Sequence, residues 1–157
     1  MSKIRVVSGV ALLATGLLAG IYTYGAVNVA SAFDVVPLDV RLTFHTALMR
    51  VNGRVVQGTM AVAVLGSLAL AVLVRGRARW AAAGAAVLAF SSFLITMFGN
   101  VPINGRIKQW AVGTPPADHA AILDRWEAFN IARTLAALIA FLLVIAVATR
   151  PSTRPEA

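Results

Sequence analysis

Four long apolar runs alternate with shorter polar segments along this chain. The first extends from about Val6 to Val27 without a charge, and the second from about Val55 to Val74, with Gln57 its main polar residue. The third, Trp80 to Phe98, is again charge-free. The fourth, about Thr134 to Thr149, reaches full length only when Ile131 and Ala132 are included. Crossing the hydrocarbon of a bilayer takes about 20 residues at about 1.5 Å each. Backbone amides find no water there, so each run is predicted to be a helix. The expected fold is all-α, a single transmembrane domain built as a four-transmembrane-helix bundle, with spans at about 6–27, 55–74, 80–98 and 131–149.

The polar segments extend this pattern. Pro37 suits a helix start, and no proline follows until Pro102. A single helix from Asp39 to Val74 would be about 54 Å long, against about 30 Å of hydrocarbon. It must project beyond the membrane or bend, with Gly53 the expected hinge. Its outer half carries Arg41, His45, Met49 and Asn52 on one face and Arg50, Arg54 and Gln57 on another. Thr114 and Pro115 read as N-cap and first residue of the fourth helix, with Asp118 in its first turn. That helix also outruns the membrane and aligns Trp126, Asn130 and Arg133. Helices two and four are therefore expected to pack as a cap on the non-cytoplasmic side. Between helices three and four, the run Asn100-Val101-Pro102-Ile103-Asn104-Gly105 is expected to break the helix and turn the chain inward.

Composition agrees with a membrane class. The chain has 157 residues, of which 59% are hydrophobic and 13% charged, against about 25% charged in soluble domains. It has no cysteine, hence no disulfide, thiolate metal site or cysteine nucleophile. The net charge of +8 suggests nucleic acid until its distribution is read. Lys3, Arg5, Arg75, Arg77, Arg79, Arg150 and Arg154 flank spans at the N-terminus, the second-to-third loop and the C-terminus, with Glu156 the only acid among them. Four spans put these three regions on one side, which the positive-inside rule makes cytoplasmic. A multi-pass cell-membrane protein with both termini cytoplasmic is expected, and nucleic acid is not an expected partner. The remaining basic residues share the other side with Asp34, Asp39, Asp118, Asp124 and Glu127.

Lys3 and Arg5 before an apolar run, with Ala30-Ser31-Ala32 after it, resemble a cleavable leader. The run exceeds the roughly 7–15 residues of a leader's apolar core. Its loss would also split the arginine clusters across the membrane, so it reads as a span. Gly16 and Gly20 have the small-xxx-small spacing that lets a second helix approach. Tyr22, Tyr24 and Asn28 sit near the outer end of this helix, and the two tyrosines read as interfacial anchors.

Asn52, Gln57, Asn100, Asn104, Asn130 and Arg133 all fall near the outer membrane boundary. Singly, the amides could bond across helices and Arg133 could snorkel. Converging with Trp110 and Trp126, they read as a pocket. The run Asn100-Val101-Pro102-Ile103-Asn104, Ile107, Trp110, then Arg125-Trp126, Phe129-Asn130 and Arg133, resembles the signature of the anthrone-oxygenase-like family of small four-helix membrane proteins. Upstream, Leu42-Thr43-Phe44, Met49 and Asn52 resemble the family's approach to helix two. The resemblance implies oxidation of anthrones to anthraquinones by molecular oxygen, without metal or flavin. Asn104, Trp126 and Arg133 match the pattern most widely shared with the fungal members. Asn100-Val101-Pro102-Ile103 stands where those members carry Pro-Tyr/Phe-Thr, so the resemblance extends to the reaction class and not to the anthrone itself.

Under this reading Arg133, Asn104 and Asn130 would hydrogen-bond a developing oxyanion. Trp110 and Trp126 would stack a flat substrate, Asn52 and Asn100 would line the site, and His45 would be the base. No cofactor is expected. A metal site is not expected either, because only His45 and His119 are available and no HxxxH or ExxH motif occurs. Expected partners are the lipid bilayer and a lipophilic small molecule, with a homo-oligomer left open. The competing reading is a non-catalytic bundle that binds a lipophilic ligand or assists another membrane protein.

Overall fold

The computed structural model describes residues 3–150, so Arg154 and Glu156 lie outside the described residues. Four helical rods are long and apolar enough to cross a membrane: Lys3–Asp34, Leu38–Leu73, Arg77–Trp110 and His119–Ala148. No strand occurs among the described residues. The first rod is α1 (Lys3–Tyr24), a π-helical turn (Gly25–Val29) and α2 (Ala30–Asp34). The second is α3 (Leu38–Leu73). The third is α4 (Arg77–Ile95), a π-helical turn (Thr96–Asn100) and α5 (Val101–Trp110), and the fourth is α6 (His119–Ala148). α1 packs on α3 and α6, and α4 packs on the same two, giving an up-down ring with α1 and α4 on a diagonal. Gly76, at φ 61°, turns the chain between α3 and α4 in a conformation that a side chain would strain.

All four rods outrun the hydrocarbon, where the sequence suggested only helices two and four. The shortest has 30 residues, about 45 Å of helix. α3 is continuous through Gly53 rather than broken there. The asparagine-proline run between the third and fourth spans is no break either, but the start of α5. The helix widens by one residue ahead of Pro102, with the Val101 N–H bonded to the Thr96 carbonyl five residues back. A π turn at this point accommodates the ring that would otherwise press on the carbonyl four residues earlier. α6 begins later than Thr114-Pro115 suggested, with Asp118 as its N-cap. Pro116 keeps Pro115 out of the helical region, so the helix cannot start before the pair has passed.

Packing changes along the bundle. Near the Arg75–Arg79 end, Ala11, Leu70, Ala71, Ala82, Ala85, Ala89, Ala140 and Val144 form an alanine-rich core. Lipid supplies no hydrophobic drive between helices, and small residues gain van der Waals contact by letting backbones close in. A Cβ on Gly66 would sit 3.3 Å from the Ala11 Cα, and one on Gly16 would sit 3.0 Å from the Phe141 ring. Gly20 faces open space, so only half of the expected glycine pair is used. At the distal end, away from those arginines, Leu42, Ile103, Ile107, Trp110, Ile122, Leu123 and Trp126 form a second core of larger side chains. Helices two and four were expected to build such a cap by themselves, but α5 of the third rod supplies Ile103, Ile107 and Trp110 to it.

Candidate functional site

Between the two cores, polar side chains from every rod meet on one face of α6. Trp126, Asn130 and Arg133 supply that face, as their spacing predicted. Asn130 is buried at 1% exposure, and its Oδ1 accepts from Arg133 Nε at 3.0 Å and Nη2 at 2.7 Å. Arg133 Nη1 reaches Thr96 Oγ1 at 3.4 Å. The guanidinium lies 4.4 Å from the centre of the Tyr22 ring on α1, within cation–π range. Ser92 donates to the Arg133 carbonyl at 3.0 Å, and Thr134 donates to the Asn130 carbonyl at 2.6 Å. Phe129 closes over Gly99, where an added Cβ would fall 2.6 Å from the ring. That glycine lets the π turn seat Asn100 against α6.

One turn nearer the distal end, Trp126 organises a second layer. Its indole N–H donates to Asn104 Oδ1 at 2.8 Å, and its carbonyl accepts from Asn100 Nδ2 at 3.0 Å. The His45 imidazole meets the indole edge-on at 4.5 Å between centroids and stacks on Phe33 at 5.0 Å. Arg41 bridges Glu127 at 2.6 Å and Asp34 at 3.2 Å, tying α2, α3 and α6 together above Phe33.

The sequence-predicted residues separate into three groups. His45, Asn100, Asn104, Trp126, Asn130 and Arg133 come together. Trp110 is buried in the distal apolar core and joins none of the polar contacts. Asn52 and Gln57 are exposed, because between His45 and Met60 α3 has no fully buried residue and only partly buried ones such as Met49 and Val56 pack against the bundle. Tyr22 is not an interfacial anchor: it is 2% exposed and lies under Arg133. Its register with Ala11, Ala14, Thr15 and Leu18 on the buried face of α1 was the available signal. Tyr24 and Asn28 are exposed. Phe33, Thr96, Ser92 and Glu127 also belong to the site without having been singled out.

The cluster is incompletely paired. Tyr22 Oη, Thr23 Oγ1, His45 Nδ1, Thr46 Oγ1, Arg41 Nε and Asn100 Oδ1 are buried without a hydrogen-bond partner. Buried polar atoms are ordinarily satisfied, so this concentration of orphans across the two layers sets the region apart from the rest of the bundle. Arg133 has no carboxylate partner among the described residues, whereas Arg41 has two. No three His, Cys, Asp or Glu side chains among the described residues converge as a ligand set for a metal. Two grooves open on the bundle's sides, one along Gly9, Leu13, Gly16 and Phe141 and one along Val10, Leu17, Arg54 and Gly58, and neither includes the cluster.

The family model for anthrone oxygenase matches residues 44–143. That segment holds His45, Asn100, Asn104, Trp126, Asn130 and Arg133, and leaves Tyr22, Phe33, Asp34 and Arg41 outside. No curated protein and no solved structure matches the chain. With most of its length and the α6 face of its polar cluster inside the match, this multi-pass membrane protein belongs to the anthrone oxygenase family.

Proposed function

We propose that this protein is a membrane-embedded oxygenase that oxidises a lipophilic aromatic or polyketide-like small molecule with molecular oxygen. The observation that carries the reading is the set of unpartnered polar atoms (Tyr22 Oη, His45 Nδ1 and Asn100 Oδ1) buried around Arg133 inside a hydrocarbon sheath. Family membership supplies the reaction class. For an anthrone, one O2 is consumed: the ring methylene loses both hydrogens, one oxygen atom becomes the new carbonyl and the other leaves as water. The first step removes a C–H proton and leaves an enolate.

The residues divide this work in a consistent way. Arg133, held by Asn130, supplies fixed donors to the enolate oxygen, usually a large catalytic term when water is excluded. Asn100 and Asn104 hold Trp126 in place, and the indole with Phe33 offers flat apolar surface to an aromatic ring. His45 is the proposed base, set between those two rings. Access would be from the lipid, past the thinly covered stretch of α3 between His45 and Met60. The arginine distribution supports both termini on the cytoplasmic side, with the site towards the opposite leaflet.

One observation favours the competing reading, a bundle that binds a lipophile without reacting it. No carboxylate pairs with His45 among the described residues, because Asp34 and Glu127 are engaged by Arg41. A base usually has an orienting partner of that kind. The test is oxygen uptake by purified protein with a panel of anthrones and hydroquinones, with metal content measured alongside. Arg133→Ala is expected to lower the rate by about 10²–10³-fold and His45→Ala by about 10²-fold or more. Rates near wild type in both variants would end this mechanism. Tight ligand binding without uptake would establish the competing reading.

A further inference from the structure

Arg133 carries a full charge into the bundle, and the groups around it compensate that charge only in part. A guanidinium has five N–H donors. Nε and one Nη2 hydrogen go to Asn130, and one Nη1 hydrogen goes to Thr96. Two N–H groups remain. The aromatic face of Tyr22 covers one side at 4.4 Å, yet neither a neutral ring nor an amide oxygen carries the opposite charge. Arg133 is half-buried, where a cation without an anion is costly, and the chain has provided none within ion-pair distance among the described residues.

Tyr22 adds a second, independent observation. Its hydroxyl is buried and unpartnered, and it faces the Ser92 and Thr96 side chains. Neither hydroxyl is in hydrogen-bonding geometry with the phenol oxygen, and both donate to backbone carbonyls, Ser92 to that of Arg133 and Thr96 to that of Ser92. The phenol O–H and the two guanidinium N–H groups are therefore uncommitted donors at one level of the bundle. The nearest charged neighbour is a cation.

We propose that Tyr22 and Arg133 together form a seat for a single anionic oxygen on an apolar body, so that this protein takes lipophilic weak acids in their ionised form. Tyr22 comes from α1, outside the family-matched segment, and its role is to donate a hydrogen bond beside the guanidinium. Ionised phenols or enols and fatty carboxylates share the required chemistry. The inference rests on the proposed location of the ligand pocket but not on oxygen chemistry.

The test is equilibrium binding of dinitrophenol, ionised at neutral pH, to the full-length protein in detergent, with its methyl ether dinitroanisole as the uncharged counterpart. Laurate and methyl laurate are then run as competitors. The phenolate is expected to bind at least about tenfold more tightly than the ether, the margin of one charge-assisted hydrogen bond. Competition by laurate but not by its ester would extend the seat to acyl acids, and no competition would restrict it to aryl acids. Tyr22→Phe keeps the ring over Arg133 and removes only the hydroxyl. It is expected to weaken phenolate binding about three- to tenfold with the thermal unfolding midpoint unchanged or raised, since an unpartnered buried hydroxyl stabilises nothing. Arg133→Gln is expected to lose about a hundredfold. Equal binding of phenolate and ether, or wild-type phenolate affinity in Tyr22→Phe, would overturn the seat. Phenolate binding without oxygen uptake on the anthrone panel would leave the seat standing and remove the oxygenase. Uptake in a protein that does not discriminate phenolate from ether would do the reverse.

Discussion

The indole N–H of Trp126 donates to Asn104 Oδ1 at 2.8 Å, joining α6 to α5 at the boundary between the polar cluster and the distal apolar core. The two residues depend on this bond unequally. Trp126 is 6% exposed, so its N–H has no alternative partner, whereas Asn104 is half-buried and its oxygen can be rehydrated. Asn104→Leu should therefore cost about 1–3 kcal/mol, the penalty for an orphaned buried donor. The Trp126→Phe, Asn104→Leu double variant should fall short of the summed single effects by about 1 kcal/mol. Denaturation in mixed micelles across the cycle measures both quantities. Strict additivity would mean that the bond is not formed in the membrane.

The two carboxylates on Arg41 are also unequal. Glu127 sits 2.6 Å away with 25% of its side chain exposed, while Asp34 is at 3.2 Å and 56% exposed. Solvent screens the second pair far more than the first. Glu127→Gln should destabilise by about 1–3 kcal/mol, and Asp34→Asn by less than about 1 kcal/mol. Because Arg41 also lies over Phe33, which stacks on His45, Glu127→Gln should loosen the roof of the site. Faster hydrogen exchange of the α2 amides in Glu127→Gln than in Asp34→Asn would confirm this order.

Gly99 and Phe129 form the tightest approach in the cluster. A Cβ at residue 99 would lie 2.6 Å from the Phe129 ring, so the ring or the π turn must move. Gly99→Ala is expected to cost about 1–3 kcal/mol and to displace Asn100, the next residue, from the Trp126 carbonyl. Shortening the obstacle with Phe129→Leu should restore part of the loss. Thermal unfolding of the single and double variants decides the matter: a Gly99→Ala protein as stable as wild type would show that Phe129 is free to swing away.

Much of this architecture was legible because hydrocarbon permits so few backbone solutions. The four spans and the Trp126–Asn130–Arg133 face follow from run length and helical spacing alone. Other features depended on neighbours that spacing does not reveal. Asn52 shares an angular face with Arg41 and His45, yet α2 covers only the upper part of that face, so Asn52 is exposed while they are buried. Pro102 reads locally as a helix breaker, but a π turn absorbs it and the rod continues. A tyrosine near a helix end reads as an interfacial anchor. Tyr22 escapes that rule because its rod continues twelve residues further, to the end of α2, which places it in the interior.

Arg133 offers the sharpest separation of stability from function. Replacing it alone strands Asn130 Oδ1, which is buried and holds two of its hydrogen bonds. Any loss of activity would then be confounded with loss of fold. Removing both partners avoids this, since exchanging a buried polar pair for apolar side chains of similar shape is nearly neutral or stabilising. The Arg133→Met, Asn130→Leu double variant should unfold at or above the wild-type temperature in detergent. It should also lose oxygen uptake by at least about 10²-fold. Each half of that outcome excludes a simpler role. A pair that only braced α6 would be missed in the unfolding curve, and a pair irrelevant to chemistry would leave the uptake rate intact. Stability retained with activity gone would mean that the protein keeps a half-buried, unpaired cation at some cost to its own packing because the reaction requires it.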